Sequence, residues 1–208
     1  FVAVMRPQTG ATADPMQTTK QSNKSAYLIW GAVAVVCLFS TAGFGLFLLN
    51  RATVVPPSWG HAGGARAGNI ELLSSLAMAL WPAIAAVCGA LIVRRYPRHR
   101  IGLLLFSIGL TTALSVLLQE WSVYGNFTRP ARPPGTLLAG WVTNWIWTIL
   151  FGQILLMLAL FPDGNMLSRR WGHALGGALA GFVGPLLVST MIELNMTSAF
   201  QMPNPLVT

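Results

Sequence analysis

The 208-residue chain is 54% hydrophobic and carries charge on only 9% of its residues, with a mean hydropathy of +0.60. A soluble domain solvates its surface with about 25% charged residues, so this composition excludes an ordinary water-facing globule and points to lipid as the solvent. The formal net charge of +8 does not indicate nucleic acid, because the basic residues stand in short clusters beside apolar stretches, where they meet anionic lipid headgroups.

Residues 1–26 are polar, with Pro7, Gly10, Pro15 and many Thr and Gln, and read as a disordered cytoplasmic tail rather than a secretory signal. Five apolar stretches follow, approximately Tyr27 to Leu49, Ile70 to Val93, Ile101 to Tyr124, Leu137 to Phe161 and Ala174 to Leu194. About 20 helical residues cover a hydrocarbon core of roughly 30 Å, so the expected fold is an all-α, polytopic membrane bundle of five transmembrane helices over residues 27–194. Cys37 and Cys88 fall inside spans and read as small buried hydrophobes.

The connections set an orientation. Between the second and third spans stand Arg94, Arg95, Arg98 and Arg100, the densest basic cluster, which belongs on the cytoplasmic side. The N-terminus, with Arg6, Lys20 and Lys24, and the fourth-to-fifth connection, with Arg169 and Arg170, then share that side. Only Arg51, Arg66, Arg129 and Arg132 are left for the outside, nine basic residues against four of the 13. The outer connections, 50–69 and 125–136, are rich in Gly and Pro and read as irregular loops. Residues 195–208 read as an outer loop cut short before a further span, in a fragment of a longer chain.

Trp59, Trp121, Tyr124, Trp141 and Trp145 fall near the outer interface and Trp171 near the inner one, the pattern of an aromatic belt. Gly172, Gly176, Gly177 and Gly181 form successive small-xxx-small pairs, the pattern of a close helix–helix contact on the fifth span. Ionisable groups at membrane depth are costly, so the carboxylates are candidates for function. Glu71, Glu120 and Glu193 converge on the outer level, and Asn144 lies about two turns in from it. Together they suggest an outer pocket that senses a cation, a lipid headgroup or a small amphiphile; the plainer alternative pairs the carboxylates with Arg51, Arg66, Arg129 or Arg132. Gln153 reads as an interhelical hydrogen bond.

No catalytic constellation is visible: there is no phosphate loop, no HExxH and no nucleophile elbow. His61, His99 and His173 stand at no ligand spacing, so neither a metal nor another cofactor is expected. Asn126-Phe127-Thr128 and Asn195-Met196-Thr197 fit the glycosylation sequon.

The most specific string is Leu155 to Trp171, LLMLALFPDGNMLSRRW, in which an apolar helix stops at Pro162-Asp163-Gly164-Asn165 and an inner anchor of Arg169, Arg170 and Trp171 follows. The FPDG turn followed by Ser-Arg-Arg-Trp resembles the N-terminal membrane region of bacterial sensor histidine kinases of the kind common in Actinobacteria and Chloroflexi. Arg98-His99-Arg100-Ile101-Gly102-Leu103-Leu104, the tryptophan-rich stretch Leu137 to Trp147, and Asn204-Pro205-Leu206 are similar to passages of the same family. Asn165-Met166 and His99-Arg100 depart from its usual residues. The resemblance implies a membrane anchor and signal-input region in the bacterial cell membrane, belonging to a homodimeric parent whose phosphoacceptor helix and ATP-binding domain lie beyond this piece. The alternative is a noncatalytic accessory subunit of a larger membrane complex, in which the glycine-rich fifth span and the tryptophans bind partner helices or pigments. Neither reading involves nucleic acid.

Overall fold

The computed structural model describes residues 15–57, 59, 63–64, 66–97, 99–161, 164–165, 168–192 and 204–205, with side-chain packing from residue 27 onward. The apolar stretches form helices throughout. They are α1 (Pro15–Asn50), α2 (Asn69–Arg95), α3 (Arg100–Val123), α4 (Thr136–Leu160), α5 (Arg169–Ala178) and α6 (Gly184–Ile192). A π-turn over Tyr124–Thr128 prolongs α3, and another over Leu179–Val183 joins α5 to α6 in one rod. Five rods, Tyr27–Asn50, Asn69–Arg95, Arg100–Thr128, Thr136–Leu160 and Arg169–Ile192, are long and apolar enough to cross a membrane, and they make this a multi-pass membrane chain.

Two helix starts differ from the sequence expectation. α1 begins at Pro15, inside the stretch expected to be a disordered tail; proline suits a first helical turn, and the Gln, Lys and Ala that follow are tolerant helix formers. The fifth rod starts at Arg169 instead of Ala174, because the Ser168 hydroxyl accepts from the Trp171 amide at 3.3 Å and caps the helix. The end of α4 matches its expected turn. Gly164 adopts φ +74° and its amide donates to Leu160 O at 2.8 Å, closing the helix with a left-handed residue that glycine takes without strain. Pro162 and Asp163 of that motif lie outside the described residues.

α3 is the centre of the bundle, packed against α1, α2 and α4, while the fifth rod touches α4. Small residues bring α2 and α3 together. A Cβ on Gly89 would stand 2.6 Å from Gly102 O and Phe106 N, and one on Gly109 would stand 2.6 Å from Pro82 O. With no hydrophobic drive between helices in lipid, such backbone proximity maximises dispersion contact. Val36, Ala86 and Ala113 fill the middle of the three-helix core.

Of the glycine face expected on the fifth span, Gly176, Gly177 and Gly181 meet no neighbouring helix among the described residues. A Cβ on Gly176, Gly177 or Gly181 would meet nothing within 4 Å, and only 6% of the rod's apolar window is buried. A small-xxx-small face marks a possible contact and does not name its partner.

The tryptophans also differ from the belt reading. Trp59 and Trp141 are buried with Val55 and Val123 in a second core at the α1–α2 loop end, with Phe127 and Trp145 against it. The Trp59 ring meets Phe127 edge-on at 4.4 Å, and Trp141 meets Trp145 at 5.4 Å. The connection after α1 folds back through the Val55–Gly64 bridge and lays Trp59 over the helix ends, which turns interfacial residues into core. Trp171, at the opposite end, is exposed as expected. Cys88 is exposed on the outside of α2 and Cys37 is partly buried, and both are free.

If the α2–α3 approach holds the bundle together, Gly89→Ala destabilises it by about 1–3 kcal/mol through overpacking. Gly177→Ala, with open space around it, leaves stability unchanged or raises it by about 0.5–1 kcal/mol. Thermal unfolding of both variants in lipid nanodiscs checks the contrast; equal midpoints would remove the close approach as the stabilising contact.

Candidate functional site

The end of the bundle where α1 finishes and α2 begins carries a buried polar network. Glu120, in the last turn of α3, is 6% exposed and Arg66, in the connection before α2, is 7% exposed. The Arg66 guanidinium donates to Glu120 Oε1 in the one ion pair among the described residues. Asn50, fully buried at the end of α1, donates through Nδ2 to Glu120 Oε2 and to Glu120 O, both at 2.9 Å. Its Oδ1 accepts from Thr128 Oγ1 at 2.8 Å, which lies 2.9 Å from Thr53 Oγ1. The Arg66 guanidinium also sits over the Phe47 ring, 5.2 Å from its centroid, a cation–π contact strengthened by exclusion of water. Both carboxylate oxygens of Glu120 are thus engaged, which is the condition under which a buried charge is tolerated.

Beside this network lies a cavity of about 500 Å³ between α1, α2 and α3, with Leu150 of α4 at its wall. Glu71, Glu120 and Arg66 supply its charges; Phe44, Phe47 and Met78 supply apolar wall. Part of its wall is polar too. Ser75, Ser115 and Gln119 line it, and their side chains make no hydrogen bond to another described residue. The Glu71 carboxylate is likewise without an ion pair or hydrogen bond among the described residues. From Glu71 to Met78 the lining descends about 10 Å along α2. Polar groups facing lipid tails are expensive, so the cavity is a place for water or a polar ligand rather than for acyl chains.

Of the sequence candidates for an outer pocket, Glu71 and Glu120 do share this cavity. Asn144 does not. It is fully buried between α4 and α6, where Nδ2 donates to Thr190 O at 2.9 Å. Glu193 lies outside the described residues. Trp141 Nε1 and Asn204 Nδ2 both donate to Met191 O, at 3.1 and 2.9 Å, so three side chains tie down the last carbonyls of α6. Asn144 is hence a fastening for the fifth rod and no part of the cavity. Gln153 makes the interhelical bond expected of it, to Thr111 Oγ1 at 3.0 Å.

At the opposite end, Gly164 is buried against the start of α3, where an added Cβ would come within 3.6 Å of the His99 ring. Arg169, Arg170 and Trp171 are exposed in the first turn of α5. Gly164 therefore brings the connection after α4 against the arginine-bearing connection before α3.

Sequence reasoning missed Asn50, Thr128 and the polar strip of the cavity. The strip had a signal: Thr112, Ser115 and Gln119 recur at helical spacing on α3, as Glu71 and Ser75 do on α2. Asn50 had none, since an Asn at the end of an apolar run reads as a helix terminus. Compared with known proteins, the chain matches no family model, no curated sequence and no solved structure.

Arg66→Met leaves Glu120 buried without its countercharge and is expected to cost about 3–5 kcal/mol, with Glu120→Leu similarly costly. The double variant should cost clearly less than the sum of the two, since it removes both charges together. Glu71→Gln, outside the network, should fall within about 0.5 kcal/mol of the parent. A double-mutant cycle from thermal or denaturant unfolding in nanodiscs measures all four; strict additivity would mean that the pair is not coupled.

Proposed function

We propose that this chain is the membrane-embedded signal-input region of a two-component sensor histidine kinase in the bacterial cell membrane, with no catalytic residues of its own. The observation that carries the reading is the polar cavity at the α1–α2 loop end, lined by the buried Arg66–Glu120 pair and by polar side chains without a hydrogen bond to another described residue. Its position beside Glu120 lets an occupant act on α1, α3 and the connection before α2 through one side chain. The resemblance of the FPDG segment to the membrane regions of such kinases supplies the rest. In this reading the cavity end faces outward, the arginine-bearing connections face the cytoplasm, and input reaches the kinase core of a longer, homodimeric parent as a rearrangement of helices.

A second reading, a noncatalytic accessory subunit of a larger complex, is favoured by one observation: the fifth rod is left almost uncovered, with Gly176, Gly177 and Gly181 open to contact from a partner helix.

Three measurements separate these. Extending the coding frame past Thr208 should run through further apolar spans into a histidine-bearing dimerisation helix and an ATP-binding domain; a stop within a few codons would end the kinase reading. In a Cys37→Ser, Cys88→Ser background, Arg132→Cys should react with an impermeant maleimide added outside intact cells, and Arg170→Cys should not; the reverse pattern would invert the orientation. In the full-length parent, Glu71→Gln should change the signalling output at least severalfold while expression and insertion persist, and an unchanged output would sever the cavity from input.

A further inference from the structure

The charges around the cavity select an occupant. Glu120 is neutralised by Arg66 in direct contact, which leaves the carboxylate of Glu71 as the one charge without an ion pair among the described lining residues. The site therefore carries a net charge of about −1, and in surroundings of low dielectric that charge repels anions and attracts a single positive charge strongly. A hard divalent cation fits poorly. Both oxygens of Glu120 are already bound, by Arg66 and Asn50, the guanidinium repels a second dication, and no group of three metal-ligating side chains occurs among the described residues.

The Glu71 carboxylate lies over Gly68 at the N-terminus of α2, and the remaining lining specifies the rest of the ligand. Ser75, Ser115 and Gln119 present oxygen acceptors that no described group satisfies, matching the three donors of a primary ammonium. Phe44 and Phe47, their rings 6.3 Å apart and nearly parallel, line the cavity together with Met78, and offer an apolar wall for a hydrocarbon or aryl body. Phe47 already accepts one cation on its face, that of Arg66. About 500 Å³ lies within the range of small-molecule sites, roughly 300–1,000 Å³.

We propose that this cavity binds an amphipathic primary ammonium ion, its head at Glu71 among the hydroxyl groups and its apolar body along Phe44, Phe47 and Met78. The inference deepens the proposal that input enters here and rests on that reading only for its biological consequence. The same ammonium chemistry is available from a soluble amine and from the headgroup of phosphatidylethanolamine.

The test uses the whole chain in phosphatidylglycerol nanodiscs and isothermal titration with 2-phenylethylammonium, against its neutral isostere 2-phenylethanol and against calcium. Saturable binding of one ammonium per chain is expected, at least tenfold tighter than the alcohol and weakened at least tenfold by Glu71→Gln, a variant whose unfolding midpoint verifies that it is folded. Failure of the ammonium to saturate, equal binding of the alcohol, tighter binding of calcium, or an unchanged Glu71→Gln titration would each overturn the proposal. Adding phosphatidylethanolamine to the nanodiscs locates the source: displacement of the probe supports a headgroup ligand, and retention supports a soluble amine. Binding on the purified chain with no signalling response in the parent would uphold the ligand class while removing the input role, so the two failures are distinguishable.

Discussion

A carboxylate at the end of an apolar helix is the constraint around which this structure is arranged. Glu120 is buried, and a buried carboxylate in surroundings of low dielectric persists only if each of its oxygens is satisfied. The chain meets that requirement with a guanidinium from the connection before α2 and an amide from the end of α1. Those two donors come from different elements, so satisfying one charge fixes the ends of three helices relative to each other. The fold-back of the connection, the burial of Trp59 and the shape of the cavity follow from holding Arg66 in that place. Deeper in the bundle the contact is of a different kind, made by backbones that approach closely at Gly89 and Gly109. Polar specificity at one end and close steric fit in the middle thus divide the work of stabilising α1 to α3.

The five helices were legible in the sequence because uninterrupted apolar length is the strongest signal a chain can carry. The corner at Gly164 was legible because a Pro-Asp-Gly string leaves the backbone few alternatives. Relations between helices were much less so. The carboxylates at Glu71 and Glu120 could be placed on one level by counting residues, and their sharing of one cavity follows from that. Asn144 stood close to the same level by the same count and points elsewhere, since linear spacing gives depth along a helix and not the direction faced within the bundle. Tryptophans near helix ends read as interfacial for the same reason: nothing in composition indicates that a loop will cover them.

Asn50 and Arg66 illustrate a second limit. Each is ordinary in its local context, one at a helix end and the other in a glycine-rich connection. Their importance comes from a contact with a residue 70 or 54 positions away, and no local pattern encodes a separation of that size. Where the sequence proposed Arg66 among several partners for the carboxylates, the structure selects it, and the selection depends on the return path of a loop. The glycines tell the same story from the other side. Their spacing announces that two helices can approach and leaves open which pair will do so.

The fastening of the fifth rod has a mechanical meaning. Its end near Ile192 is held by Trp141, Asn144 and Asn204 through bonds to backbone carbonyls, Leu179–Val183 also lies against α4 with Phe182 beside Phe151, and the 10-residue stretch Arg169–Ala178 runs on with no buried residue. A body held along one part and loose along the other behaves as a lever arm about a pivot. At 1.5 Å per residue the loose arm is about 15 Å long, so a tilt of about 5° near Ala178 carries the far end through about 1 Å. A shift too small to disturb packing around Asn144 is in this way magnified at Arg169 and Arg170, on the opposite side of the bundle.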